Sequence, residues 1–382
     1  MVQLLKKQLV ILGAGYGGLL TAVELEDKIN PTDDIEIVLV DKNNYHQYLH
    51  LAYEIITDAK KVSDVSVPLN ELLEKRKIRF FQATVHEIDF KNKVVRTNNG
   101  DLSYYELVVA LGSEPNYYHI KGAEEHSFCV SSGEAAARLR DALRKVLEQD
   151  KAAKIVVGGG GFTGVEVAGE ILDELKCRVT IIEGSKSLLP SWNSPEFSRK
   201  VANLLTEMGA EIILGKLIVE VKAGIVVLNN GSQIDCSLII WTGGVQGSKV
   251  VSRSGLKTGK DNRVEINEFC EAVGFPGVYV VGDCALVVDS KTREILPQGI
   301  EIALQQANVV AKNLYADLTG CERSVYVPKF SGLILAVGEK YGIGTISGVK
   351  MEGRLAQMVK RIIHLEYVYK IAGLGKLFKE IV

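Results

Sequence analysis

Two glycine loops carry the residue types and spacings that hold a diphosphate. Gly13, Gly15 and Gly18 form a GxGxxG followed by Ala22, and Gly159, Gly161 and Gly164, followed by Ala168, repeat it. In this pattern the first glycine allows a tight strand-to-helix turn and the second lets a diphosphate lie against the backbone. The third, with the alanine, lets helix and sheet pack closely. The diphosphate then rests on a helix N-terminus, where N–H groups and the helix dipole favour an anion. An acid closes the strand after each loop, Asp41 in the first and Glu183 in the second, where a carboxylate binds ribose hydroxyls. Glu183 would repel a 2′-phosphate, so NADH is expected in preference to NADPH.

The elements that must present these loops recur in the two halves. The first half reads as a strand (8–12), the glycine turn, a helix (19–27) and a strand (35–40) ending at Asp41. The second reads as a strand (154–157), the turn, a helix (165–175) and a strand (178–182) ending at Glu183. Apolar runs alternating with helical patterns indicate βαβ units on a parallel sheet. Each half then enters a short β-meander through an Asn-Asn-Gly turn, at 98–100 and at 229–231. Such duplication predicts an α/β fold with two Rossmann-like dinucleotide-binding domains. Residues 276–283 read as one more buried strand ending in the acid Asp283, with Cys284 and Ala285 opening a helix, and 299–318 as a further helix.

Composition agrees with a folded chain of two or three domains: 382 residues, 47% hydrophobic and 24% charged. The formal net charge of -2 gives no electrostatic case for nucleic acid. The six cysteines form no CxxC pair and read as reduced thiols, with Cys129, Cys177 and Cys284 the candidates for a redox role beside a cofactor. No metal site is expected. The first strand begins too early to leave room for a secretory leader, and no apolar run reaches the ~18 residues of a membrane span. The chain is therefore expected on the cytosolic side.

Together these residues resemble the flavoproteins with two dinucleotide-binding domains, and among them the type II NADH:quinone oxidoreductases. The broad resemblance rests on both glycine loops, Leu111-Gly112, Thr242-Gly243-Gly244 and Gly282-Asp283. The narrower one rests on three patches: Gly161-Phe162-Thr163-Gly164-Val165-Glu166 with Ala168-Gly169-Glu170, Asp41-Lys42-Asn43-Asn44-Tyr45-His46 continuing to Tyr53-Glu54, and Ile300 to Gln306. The resemblance implies an FAD domain over residues 1–115 and 245–327, an inserted NAD(H) domain over 116–244 and a C-terminal segment over 328–382. It implies FAD contacts from Gly13, Gly15, Gly18, Asp41, Lys42, Ala110, Gly112, Asp283 and Ala285. NAD contacts would come from Gly159, Gly161, Phe162, Gly164, Glu166, Glu183 and Gly243. Glu166, placed in the first turn of its helix, is the implied proton-handling acid on the nicotinamide side. Glu301, Gln305 and His46 are the candidates on the quinone side. The third patch departs from the usual family pattern, with Ile300 for alanine and Glu301 for glutamine.

The implied activity is hydride transfer from NADH to FAD and electron transfer to a membrane quinone without proton pumping. The tail fits a membrane acceptor: Leu355, Met358, Val359, Ile362 and Ile363 recur at helical spacing among Arg354, Lys360, Arg361, Lys370, Lys376 and Lys379. Such a helix lies in the headgroup layer of a membrane or covers a partner subunit. A peripheral protein on the cytoplasmic face and a homodimer are the expectations. The residues also admit a reductase with a soluble acceptor (oxygen, a ferredoxin-like protein or a thiol), a sulfide:quinone oxidoreductase-like enzyme and a nicotinamide-sensing binding protein.

Overall fold

The computed structural model describes residues 6–30, 34–192, 194–259, 261–289 and 292–381, with backbone alone for 374–381. The first glycine loop leaves strand Lys7–Leu12, whose inner residues Leu9 to Leu12 are buried because helices cover both faces of the sheet. That strand lies between Ile35–Asp41 and Glu106–Val109, all parallel; Ile78–Gln82 and the late strand Val278–Val280 complete a five-stranded sheet. A second parallel sheet has the corresponding order: Glu211–Leu214, Arg178–Glu183, Lys154–Gly158, Leu238–Trp241.

The duplication reaches single hydrogen bonds. Gly13 N donates to Val40 O at 2.7 Å and Gly159 N to Ile182 O at 2.8 Å, while Ala110 N and Thr242 N reach Leu12 O and Gly158 O, both at 2.8 Å. Each half also carries a three-stranded antiparallel meander with a register shift in its first strand, at Val85/Glu87 and at Ile218/Glu220. Between the halves the chain crosses on two short antiparallel strands, Ser113–Pro115 and Val245–Gly247.

Two expectations are corrected at the loops. The helices begin at Tyr16 and Phe162, directly after the middle glycine, rather than at 19 and 165. Glycine's poor helix propensity is overridden because only glycine fits the close packing of the first turn. Glu166 is therefore the fifth helical residue, in the second turn rather than the first. After Val278–Val280 the chain forms a 3-10 turn, Gly282–Cys284, and a two-residue strand, Ala285–Leu286, not a helix. Gly282 has a left-handed φ of 77°, which breaks the direction of the chain there. The next helix spans Ile300–Thr319 and packs on the first loop's helix.

The C-terminal segment is a meander of Gly332–Val337, Tyr341–Ile346 and Val349–Gly353, followed by helix Arg354–Ile381, which breaks at Gly373 (φ 70°, ψ -173°). The meander lies on helix Phe162–Glu174. A methyl group on Gly169 would sit 2.8 Å from Gly338 N and 3.1 Å from Val337 Cα, so only glycine lets strand and helix approach this closely. Helix 354–372 buries Ala356, Tyr367, Val368 and Ile371. Its opposite face exposes Leu355, Met358, Ile362, Ile363 and Tyr369, each about half accessible. The expected contributions of Lys376 and Lys379 lie outside the described side chains. No helix among the described residues is long and apolar enough to cross a membrane.

Candidate active site

Each loop is tied to its acid in the same way. Asp41 accepts from Ala14 N (2.7 Å) and Asn43 N (2.8 Å), and Glu183 from Gly160 N and Ser185 N (both 2.7 Å). Burial raises the Asp41 carboxyl above its ordinary value, and the backbone donors oppose that rise.

The glycines divide by what requires them. A methyl group on Gly13 would meet Ala110 O at 2.2 Å, and one on Gly18 would meet Gly13 O at 1.9 Å. In the second loop Gly159 would meet Thr242 O at 2.5 Å and Gly164 would meet Gly159 O at 2.0 Å. Gly15 and Gly161 have nothing within 4 Å and ordinary extended backbone (φ -72° and -75°). Neither middle glycine is demanded by the chain itself. No side chain caps either helix, so first-turn N–H groups stay available above the open glycines. Both loops thus fit a dinucleotide diphosphate.

Around the first loop, Ser113 Oγ donates to Asp283 Oδ2 (2.9 Å), and Gln298 Nε2 donates to Asp283 O (2.9 Å). Burial raises the Asp283 carboxyl. Gly282 N donates to Gln306 Oε1 at 2.8 Å, while Nε2 of this fully buried side chain has no hydrogen-bond partner among the described residues. A buried donor beside Gly282-Asp283 fits a polar ligand group there. Helical periodicity was the available signal for Gln306, which falls with Ile302, Ala303, Ala307 and Val310 on the buried stripe. Glu301 and Gln305 lie beside that stripe. Gln305 exchanges hydrogen bonds with the Lys329 backbone (2.6 and 2.9 Å), and Glu301 accepts from Ser331 N (3.0 Å).

His46 is fully buried, and both ring nitrogens are engaged. The Ala14 carbonyl can only accept, so Nδ1 carries the proton and donates to it at 2.8 Å. Nε2 then accepts from Tyr367 Oη at 3.0 Å. Burial lowers His46 to about 4, so the ring is neutral at neutral pH. Cys284 is also committed: its thiol lies 3.3 Å from both Val109 O and Val281 O, and burial pushes it up to about 12. Cys177 is raised by burial as well, and Cys129 Sγ lies 3.3 Å from Ser131 Oγ.

Glu166 meets the C-terminal segment. Its Oε1 accepts from Lys360 Nζ at 2.7 Å and from Ala336 N at 3.3 Å. Lys360 Nζ also donates to Tyr53 Oη at 3.2 Å. Within the basic tail Lys360 therefore points inward, and its charge is spent on Glu166 rather than on solvent. One helical turn beyond Glu166, the buried Glu170 accepts from Thr57 Oγ1 at 2.6 Å. Burial first, and then the Glu54 charge, push Glu170 up to about 7, although the Thr57 bond opposes this. The pairings of Lys360, Tyr53 and Thr57 escape sequence reasoning because their partners are more than 100 residues away.

Two parallel sheets with a ligand-ready glycine loop on each define a dinucleotide-binding flavoprotein class. Residues 7–307 match the family described as pyridine nucleotide-disulphide oxidoreductase, and the chain belongs to it. Within that class it belongs with the type II NADH:quinone oxidoreductases. The enzyme of that name from Staphylococcus aureus (strain NCTC 8325 / PS 47) is 32% identical over 402 residues, covering 98% of each chain. The one from Staphylococcus saprophyticus is 30% identical over 400 residues, again covering 98% of each. Among solved structures, NDH2 from Plasmodium falciparum in complex with NADH matches with a TM-score of 0.85 at 16% identity, covering 98% of this chain and 97% of that one. The sulfide:quinone oxidoreductase from Aquifex aeolicus matches with a TM-score of 0.83 at 21% identity, covering 96% and 91%. These last two likenesses speak for the fold alone.

Proposed function

We propose that this chain is an FAD-dependent NADH:quinone oxidoreductase of the type II kind, working at a membrane surface without pumping protons. The observation that carries this reading is the pair of open middle glycines, Gly15 and Gly161, on two uncapped helix tips of one polypeptide. The relatives' shared name supplies the donor and the acceptor.

In this reading residues 1–115 and 245–327 hold FAD, and 116–244 hold NADH. Gly13, Gly15, Gly18, Asp41, Lys42, Ala110, Gly112, Asp283 and Ala285 surround FAD, with Gln306 added for its buried amide. Gly159, Gly161, Phe162, Gly164, Glu166, Glu183 and Gly243 surround NADH. When bound, FAD would supply the redox chemistry that links NADH to quinone. The protein binds, orients and excludes water. Glu183 selects free ribose hydroxyls. Glu166 and Lys360 fix a charged pair at the helix that receives NADH. Glu170, pushed to about 7, holds a proton part of the time at neutral pH. Quinone contact by Glu301 and Gln305 requires their bonds to Ser331 and Lys329 to open, and His46 acts through Ala14 and Tyr367.

The exposed apolar face of helix 354–372, flanked by Arg354, Arg361 and Lys370, is the membrane-contacting surface, and a homodimer on the cytoplasmic face is the assembly we favour. The decisive experiment is anaerobic stopped-flow mixing with NADH, NADPH or sulfide, followed by a quinone in lipid. Rapid flavin bleaching by NADH and fast reoxidation by quinone are expected. Bleaching by sulfide alone would defeat the proposal.

A further inference from the structure

Ala14 and Tyr16 flank Gly15, and both are held from the far end of the sequence. His46 Nδ1 donates to Ala14 O at 2.8 Å, and Tyr367 donates to His46 Nε2 at 3.0 Å. The Tyr367 ring lies 4.7 Å from the Tyr16 ring, and Tyr16 Oη is 2.6 Å from His50 Nδ1. Tyr367 is 4% exposed and His46 0%, so water does not compete for these bonds. One side chain of the C-terminal helix therefore braces the open glycine position from both sides, by ring packing on Tyr16 and by a two-bond chain to the Ala14 carbonyl.

We infer that Tyr367 is a positioning residue for the first glycine loop, so that the C-terminal helix sets how tightly FAD is held. The inference rests on the assignment of FAD to that loop. A diphosphate on a helix tip needs its backbone donors fixed before it arrives, because each donor that must be ordered on binding weakens the complex. Removing the Tyr367 hydroxyl leaves a buried imidazole nitrogen unsatisfied and frees the ring that anchors Ala14.

Tyr367→Phe deletes the hydroxyl and keeps the ring against Tyr16. His46→Asn retains an amide N–H near the Nδ1 position and loses the Tyr367 partner. FAD release from the holoenzyme, followed by the rise of free-flavin fluorescence on dilution, is expected to be about five- to tenfold faster in either variant. The double variant should release FAD no faster than either single one, because both break the same chain. NADH affinity should stay at the wild-type value, and Tyr369→Phe, on the exposed face of the same helix, should leave FAD release unchanged. Equal FAD release from Tyr367→Phe and Tyr369→Phe would overturn the inference, as would additive effects of the two substitutions or a matching loss of NADH affinity. Gly15→Val separates this from the underlying assignment. Full flavin retention in that variant would remove FAD from the first loop altogether, whereas flavin lost there but unaffected in Tyr367→Phe would overturn the bracing role alone.

Discussion

At the second loop, Gly161 has open space where a side chain would stand, so the chain tolerates a larger residue there, whereas a diphosphate bound as proposed would not. Gly161→Val should leave flavin content and folding intact while abolishing saturable NADH binding, measured by titration of the oxidised protein. Undiminished NADH affinity would mean that the loop serves no dinucleotide. In the proposed reading, the neighbouring Glu183 sets the preference between NADH and NADPH. Both of its carboxylate oxygens accept from loop N–H groups, Gly160 N and Ser185 N, which holds the side chain in place. Glutamine keeps an acceptor and loses the charge. Glu183→Gln should therefore raise kcat/KM for NADPH relative to NADH by about tenfold, the effect of relieving ~1.4 kcal/mol of like-charge repulsion. An unchanged ratio would place the 2′ position elsewhere.

Among the elements, the strand Glu106–Val109 joins the late strand Val278–Val280 to the rest of the first sheet and carries an acid at its buried start. Burial first, then the Asp317 charge, push Glu106 up to about 8, while Arg323, which is bonded to Asp317 (2.5 Å) and Glu271 (3.0 Å), opposes the rise. The native state thus holds a proton that the unfolded chain releases near its ordinary carboxylate value. Stability attributable to this group is fully present below about pH 4 and falls as pH rises through the range up to about 8. Urea midpoints should decline between pH 5 and 8 in the wild type and decline less in Glu106→Gln; parallel declines would remove Glu106 as the cause. The same strand shows what could be read in advance. Its apolar run, like those at 9–12 and 238–241, announces a strand buried on both faces, and the twin glycine loops announce the duplication. The helices start earlier than the local pattern indicates because close packing overrides glycine's local preference, as at Gly18. The inward turn of Lys360, the docking of Val337 on Gly169 and the bonds from Gln305 to Lys329 depend on tertiary contacts that no local pattern encodes.

For the molecule as a whole, helix 354–372 separates two tasks by face. Its buried face carries Lys360 to Glu166 and Tyr367 to His46, and so touches the helix of one glycine loop and the support of the other. Its opposite face offers Leu355, Met358, Ile362 and Ile363 to the surroundings. Deleting the helix would therefore disturb both glycine-loop regions as well as any membrane contact, and loss of activity in such a truncation would not separate the two. Substitution on the outer face does. Ile362 and Ile363 are about half exposed and make none of the bonds to Glu166 or His46, so Ile362→Ser with Ile363→Ser should fold normally and be reduced by NADH at the wild-type rate. Removing roughly half of each side chain's burial in lipid should weaken binding to vesicles of mixed neutral and anionic lipid by about tenfold in sedimentation, at ~25 cal/mol per Å² of apolar surface. Turnover with a quinone dissolved in those vesicles should fall in step, while turnover with a water-soluble quinone should not. Unchanged sedimentation together with dissociation of an oligomer would show that this face covers a second copy of the chain, not a membrane.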